Sequence, residues 1–411
     1  MKKNIGIVTT WFERGAAYVS RQYMDTIKKT ENVFIYVRGG EEYAQKNAEW
    51  ALPNVTWGKK VAMPDSVATY VNPFDFKKWL AKNNIDIVFF NEQHYWQPVL
   101  LCNRLGLKTC TYVDYYTEQT IPLFGLFDIL ICNTKRHFEA FSWHKQAFYI
   151  PWGTQTDVFI PPEDKTSSPD GVIRFFHSAG MNPYRKGTDY VLRAFEMIIK
   201  EGIKNIQLIL HLQTDLLSFF PELKETLTFL KQKKCLTLIK KTIQRPGLYH
   251  MGDVYVYPSR LDGIGLTLAE ALSCGLPLVT PDNPPMNEFA LSQGSELVKI
   301  NRLFARNDGY YWPQCSIDIQ DLVKKMKQFT RHPENMQQFS INARNYALEK
   351  LDWEKNSMGL RDILLNCDKL TPSEHLFKKA TNFDNRKFTG ITKIPWAFSL
   401  FVRLKRRFIK K

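Results

Sequence analysis

The first 155 residues alternate short unbroken apolar runs with polar, helix-compatible stretches. NIGIVTT (4–10), VFIYVR (33–38), DIVFF (86–90), KTCTYV (108–113) and DILICN (128–133) each predict a strand. Their apolar positions are continuous, as required of a strand in a parallel sheet covered on both faces. A second series follows: VIRFFHS (172–178), IQLILHL (206–212), CLTLI (235–239), VYVYP (254–258), LPLVT (276–280) and ELVKI (296–300). Between them IPPEDKTSSPDG (160–171) reads as a linker, and after Ile319 the pattern turns helical to about Asn366. Two such series predict an α/β protein of two doubly wound, Rossmann-like domains facing a central cleft. The expected division is 1–155, then 156–345, then a terminal helix over 346–366 crossing back to the first domain, and a basic tail over 367–411.

Composition narrows the class. A chain of 411 residues exceeds one ordinary core, and 44% hydrophobic with 24% charged residues fits a globular protein. The net charge of +15 is uneven: residues 371–411 carry +9 and the rest only +6. That distribution, with no helix-turn-helix or RNP signature, argues against nucleic acid as a partner. The seven cysteines form no C-x-x-C pair, which suits buried thiols in a reducing compartment. No uncharged run reaches the roughly 18 residues that span a bilayer, and IGIVTTW after the initial MKKN is too short for a signal peptide. A cytoplasmic protein is expected.

The stretch YPSRLDGIGLTLAE (257–270) places Gly263 and Gly265 at a strand-to-helix turn. Free amides at a helix start, with the helix dipole behind them, favour an anion, and glycine admits close approach of a phosphate. Glu270, two helical turns on, suits a pair of vicinal hydroxyls; Asp262, ahead of the turn, suits a sugar hydroxyl beside the phosphate. The stretch resembles the E-x7-E signature of family 4 retaining glycosyltransferases, which have the GT-B fold. Asp262 stands where that family has its first Glu, and Glu270 matches the second. SCGLPLVTPDNPPMNEF (273–289) resembles the family's ACG-P-V-V run ending in an acid, here Glu288. HSAGMNPYRKGTDYVLRAF (177–195) resembles its Gly-Arg … Lys-Gly segment. The likeness covers about residues 1–365 and is most specific over 177–195 and 254–288. Two departures stand out: Asp262 shortens a Glu by one methylene, and Met181 replaces an Arg.

The resemblance implies transfer of a sugar from a nucleotide-diphosphate donor with retention, in synthesis of cell-surface polysaccharide or lipopolysaccharide. A diphosphate leaving group needs positive charge where its own charge develops. Arg185 and Lys186 supply it by family analogy, opposite the backbone amides of Gly263, Ile264, Gly265 and Leu266. These cations and the helix start take the part of a metal, so neither metal nor other cofactor is expected. Gly15, in the turn after the first strand, implies contact with the donor phosphates; Asp114, ending the fourth, lies where the family carries an acid or His near the transferred sugar. Glu92 and His94, after the third strand, are candidate contacts for a glycan or lipid-linked acceptor. Glu288 is expected near the donor, and the aromatic stretch 303–318 reads as an irregular structural loop. In IPWAFSLFVRLKRRFIKK (394–411), Trp396, Leu400, Leu404 and Phe408 recur every four residues among cations. This predicts peripheral contact with an anionic membrane on its cytoplasmic face. The alternative reading is a catalytically inactive relative that binds partners or scaffolds an assembly.

Overall fold

The computed structural model describes residues 2–39, 42–60, 63, 67–162, 171–388, 392, 398 and 400–402. The chain divides into two compact units: Met1–Asn133 with His137–Ile150 and Ser357–Lys411, and Thr134–Arg136 with Pro151–Asn356.

The first unit is built on seven strands. In chain order come β1 (Asn4–Thr10), α1 (Gly15–Ile27), β2 (Asn32–Gly39), β3 (Val55–Trp57), α2 (Pro73–Lys82) and β4 (Ile87–Phe90). Then follow α3 (Gln97–Arg104), β5 (Lys108–Val113), β6 (Ile129–Cys132), α4 (Lys135–Phe141), whose Lys135 and Arg136 belong to the second unit, and β7 (Ala147–Tyr149). The sheet is parallel throughout, in the order β3-β2-β1-β4-β5-β6-β7. Buried strand residues such as Ile5, Ile7, Val88, Phe89, Ile129 and Ile131 are covered on both faces. That coverage is what the unbroken apolar runs required.

The second unit repeats the plan with β8 (Ile173–Gly180), α5 (Thr188–Lys200), β9 (Ile206–Leu212), α6 (Lys224–Gln232), β10 (Leu236–Lys240) and β11 (Val254–Val256). It continues with α7 (Leu266–Ser273), β12 (Leu278–Pro281), β13 (Ser295–Val298), β14 (Ile300–Phe304), β15 (Gln314–Ile317), α8 (Ile319–Arg331), α9 (Met336–Lys350) and α10 (Trp353–Asn356). Its six-stranded sheet is parallel, in the order β10-β9-β8-β11-β12-β13. Val191, Leu192, Phe195 and Ile198 of α5 and Leu322 and Met326 of α8 complete one core with the strands.

Three expectations need correction. The strands β3 and β7 were not foreseen, because three residues at a sheet edge carry too little periodicity to register. The irregular loop expected over 303–318 is in part the antiparallel hairpin of β14 and β15, whose exposed positions at Asn301, Arg302 and Leu303 hide its strand character. The single helix expected over 346–366 is broken. Thr154 N–H donates to Leu351 O at 2.7 Å and Thr154 O accepts from Trp353 N–H at 3.1 Å, so these groups cannot enter a helix ladder. The segment ends instead in α10 and α11 (Leu360–Asn366).

The basic tail expected over 367–411 contains α12 (Glu374–Asn385), which is part of the first unit. Asp384 accepts from the amides of Trp96 and Gln97 at 2.8 and 3.1 Å, capping α3. The proposed amphipathic stretch 394–411 lies, except for 398 and 400–402, outside the described residues. Among the described residues no helix is long and apolar enough to cross a membrane. All seven cysteines are free thiols and six are buried.

Candidate functional site

In the second unit β8 and β11 are neighbours, with β9 and β10 to one side and β12 and β13 to the other. The chain direction of the crossovers reverses between them. At such a switch point the loops leaving two adjacent strands open a crevice at the carboxyl end of the sheet. Residues 181–187 leave β8, and residues 257–265 leave β11. The two motifs singled out in the sequence, some 75 positions apart, therefore meet there.

Lys186 Nζ lies 2.9 Å from Asp262 Oδ2, with Arg185 Nη1 at 3.7 Å from the same oxygen. Burial and the neighbouring Arg185 push the Lys186 ammonium down to about 8, against the pull of Asp262. Burial alone would raise Asp262, but Lys186 and Arg185 hold it well below the usual carboxylate range. The loop bearing the cations is fastened from beneath. Arg260 grips Asp189 through two bonds of 2.8 and 2.6 Å and stacks between the rings of Tyr184 and Tyr190, 4.2 Å from each. Arg185 O accepts from Arg260 N–H at 2.7 Å and from Ser259 Oγ at 3.0 Å. Behind it His177, held neutral by burial at about 4, bonds Thr188 Oγ1 at 2.9 Å.

Opposite the cations, Gly265 sits at φ 75° just before α7, and its amide donates to Asp262 Oδ1 at 3.3 Å. The amides of Leu266 and Thr267 open the first turn, where a helix leaves its N–H groups without intrahelical acceptors. Gly263 and Ile264 complete the turn. Glu270 is half-buried on α7, accepting from Tyr249 Oη at 2.6 Å. Burial raises its carboxyl above the ordinary value, with the Tyr249 bond, Arg245 and Lys186 opposing.

Glu288 lies in the short turn Met286–Phe289 that follows β12. Its oxygens accept from the amides of Lys135 and Arg136 at 2.8 and 3.3 Å, capping the start of α4. Met181 is 70% exposed and takes no part in the cluster. Sequence reasoning missed Arg136, which is buried against Asp262 O (2.5 Å) and Pro284 O (2.6 Å) and lies over the Trp312 ring. It missed Tyr249, Tyr257 and Arg260 as well. Of these only Arg260 left a trace: a cation two positions ahead of Asp262 in the same turn.

The remaining candidates lie in the first unit, at the carboxyl ends of β1, β4 and β5, which are neighbours in its sheet. Gly15 is the exposed first residue of α1. Glu92 adopts φ 49°, rare for a side chain of its kind, and its carbonyl accepts from Arg38 Nη2 at 2.9 Å. His94 packs edge-on against Tyr115, with ring centroids 4.9 Å apart. Burial, helped by Arg38 and Lys387, lowers it to about 3, so the imidazole is neutral. Asp114 follows β5 directly. Among the described residues, no three or more His, Cys, Asp or Glu are grouped to hold a metal ion.

Two parallel-sheet units of this kind, one with a glycine turn opening a helix at its switch point, define the GT-B class of fold. The structure matches that of Anabaena HepE, solved with UDP and glucose, at a TM-score of 0.68 and 13% identity, covering 89% of this chain and 99% of that one. It also matches the pneumococcal O-GlcNAc transferase GtfA, solved with UDP and GlcNAc, at a TM-score of 0.65 and 12% identity, covering 89% and 99%. Residues 163–346 match the family model of glycosyl transferases group 1. A curated relative, the uncharacterized glycosyltransferase 335 of Sulfolobus islandicus rod-shaped virus 1, is 25% identical over 125 residues, 30% of this chain. The match spans about a third, 32%, of that relative's length.

Proposed function

We propose that this protein transfers a sugar from a nucleoside-diphosphate donor to a glycan or lipid-linked acceptor, with retention at the anomeric carbon and without a metal. The observation that carries the reading is the meeting of Arg185 and Lys186 with the amide-rich start of α7, and of both with Glu270. Glu270 receives the ribose hydroxyls, the turn 263–266 and the two cations receive the diphosphate, and Asp262 carries the nearest negative charge. The bond from the anomeric carbon to the phosphate oxygen breaks, and a bond to the acceptor oxygen forms on the same face. The acceptor hydroxyl loses its proton as the diphosphate departs with an extra negative charge. Arg185 and Lys186 meet that charge where it develops, and fixed charges aimed there contribute most.

In the first unit Glu92 and the neutral His94 are assigned to the acceptor, Asp114 to the transferred sugar and Gly15 to the donor phosphates. Glu288 supports the donor site by capping α4, which holds Arg136 against Asp262. The retaining course and a place in cell-surface polysaccharide or lipopolysaccharide synthesis rest on the motif resemblance. Contact of residues 394–411 with the cytoplasmic face of an anionic membrane rests on their charge and spacing.

The test is nucleotide release and thermal shift with UDP-, GDP-, ADP- and CMP-sugars, with and without EDTA. Release from one donor, insensitive to EDTA and lost in Lys186→Ala and Glu270→Ala, is the expected result. Release abolished by EDTA would refute metal independence, and no shift with any nucleotide would refute the donor site.

A further inference from the structure

One side chain in the donor site has no role assigned to it by the sequence. Tyr257, the first residue after β11, is fully buried, and its ring centroid lies 4.4 Å from Lys186 Nζ. Its hydroxyl touches both that ammonium and Asp262 Oδ2. The same oxygen accepts from Lys186 at 2.9 Å, while Oδ1 accepts the Gly265 amide at 3.3 Å. We infer that Tyr257 and Asp262 form a clamp that fixes the Lys186 ammonium for the donor phosphate, so that Asp262 acts on the donor through Lys186 rather than by touching the transferred sugar.

The inference rests on the donor-site reading above and changes one role within it: the sequence assigns Asp262 to a sugar hydroxyl. A lysine is a compact charge on a flexible four-carbon stem, and holding it in one place takes partners on more than one side. Here a ring lies beside the ammonium, and a phenol and a carboxylate oxygen accept from it. Asp262 has little left to offer a sugar. One of its oxygens is shared by Lys186 and Tyr257, with Arg185 close by, and the other is spent on the turn that opens α7. The shorter side chain, one methylene less than Glu, keeps the carboxylate against the turn, where Lys186 finds it.

Both clamp members are positioning residues, and their effect is read in the titration of Lys186. The charged or titratable groups around that lysine are Arg185 beside it in the loop, Asp262 and Tyr257 after β11, Glu270 on α7 and His177 on β8. His177 is already neutral at physiological pH and adds no charge. A phenol oxygen accepting from the ammonium favours its charged form, as does the Asp262 carboxylate.

The experiment is ε-13C lysine NMR of the full chain, with Lys186→Arg to assign the signal, alongside UDP, GDP and ADP titrations from pH 6 to pH 10. Lys186 is expected to titrate at about 8 in the unmodified protein. Tyr257→Phe keeps the ring and is expected to lower that midpoint by about 0.5–1 pH unit, the worth of one ordinary hydrogen bond, and Asp262→Asn by more. The basic limb of nucleotide binding should move with it, while Tyr257→Phe binds at pH 6 within about threefold of the unmodified protein. An unmoved midpoint in folded Tyr257→Phe overturns the clamp, even if the melting temperature falls, since a purely structural role lowers stability without shifting the titration. If no nucleotide binds the unmodified protein, the donor reading falls, and the lysine titration still decides the clamp.

Discussion

Gly187 and Gly265 lie at φ 70° and 75°, each the last residue before a helix at the switch point of the second unit. The left-handed conformation is costly for other residues, and space is also lacking. A Cβ on Gly187 would lie 2.1 Å from Pro258 O, and one on Gly265 would lie 2.3 Å from the Phe289 ring. Gly187→Ala is therefore expected to cost about 2–4 kcal/mol and to weaken binding of whichever donor nucleotide the screen identifies at least tenfold, roughly 1.4 kcal/mol, because it displaces the loop carrying Arg185 and Lys186. Thermal denaturation and calorimetric titration check both, and an unchanged affinity would mean the loop does not hold the diphosphate. Glu270→Gln separates the hydroxyl contact from the phosphate contact. Nucleotide affinity is expected to fall about tenfold and pyrophosphate affinity to stay the same, because only the nucleotide brings a ribose. Equal losses for both ligands would place Glu270 at the phosphates.

These residues were unequally legible. Asp262, Glu270, Arg185 and Lys186 stood out because glycine spacing and adjacent charge are local features. Tyr257 and Arg136 did not, since a tyrosine ending a strand and an arginine starting a helix have ordinary local explanations. Their importance arises only from what lies across from them.

At the scale of elements, the sequence located the long strands well and their partners less well. Lys108–Val113 and Ile206–Leu212 coincide with their predicted runs. Long buried strands demand a continuous apolar stretch, whereas β3, β7 and the β14–β15 hairpin are short or exposed and make no such demand. Helix breaks set by distant backbone, as at Thr154 and Leu351, leave no local signal. The Arg260–Asp189 pair ties the turn after β11 to the start of α5. Arg260→Met should cost about 3–5 kcal/mol, since it strands a buried carboxylate, and urea unfolding measures it. A loss below about 1 kcal/mol would show that the stacked tyrosines hold the loop alone.

The contact between α12 and α3 carries its own pH dependence. Burial raises Asp384 to about 6, although Lys387 and the amides of Trp96 and Gln97 oppose the shift. A carboxyl whose folded value exceeds its unfolded value binds its proton more tightly when folded. Its contribution is thus greatest below the ordinary carboxylate range and is lost as pH rises through about 6. Across that window the loss amounts to about 1–3 kcal/mol. Asp384→Asn, which keeps an oxygen for the helix cap, should flatten the fall in melting temperature between pH 4.5 and pH 7. An unaltered slope would assign the dependence to another group.

For the whole molecule, charge is the property that composition determines directly. Residues 371–411 hold +9 of the total +15, so membrane contact is a claim about one end of the chain. Full-length protein is expected to sediment with vesicles containing an anionic lipid at low salt, to release as salt rises, and to lose binding when residues 389–411 are removed. Binding that survives the deletion would move the contact to the body.

The sequence by itself determined the two α/β series and the basic end, and its resemblance to a known family singled out the candidate donor residues. The series and the charge follow from periodicity and composition, which act over a few neighbouring positions. Only the tertiary structure decided that β8 and β11 lie side by side, and so brought the Arg185–Lys186 loop to the turn before α7. It also decided that Glu288 caps a helix, that Asp384 fastens α12 to α3, and that the Tyr257 hydroxyl touches both Lys186 and Asp262. Each of these depends on which strands pair and on what burial leaves beside a charge. Sequence separation does not encode such relations, because a long loop costs little more to close than a short one.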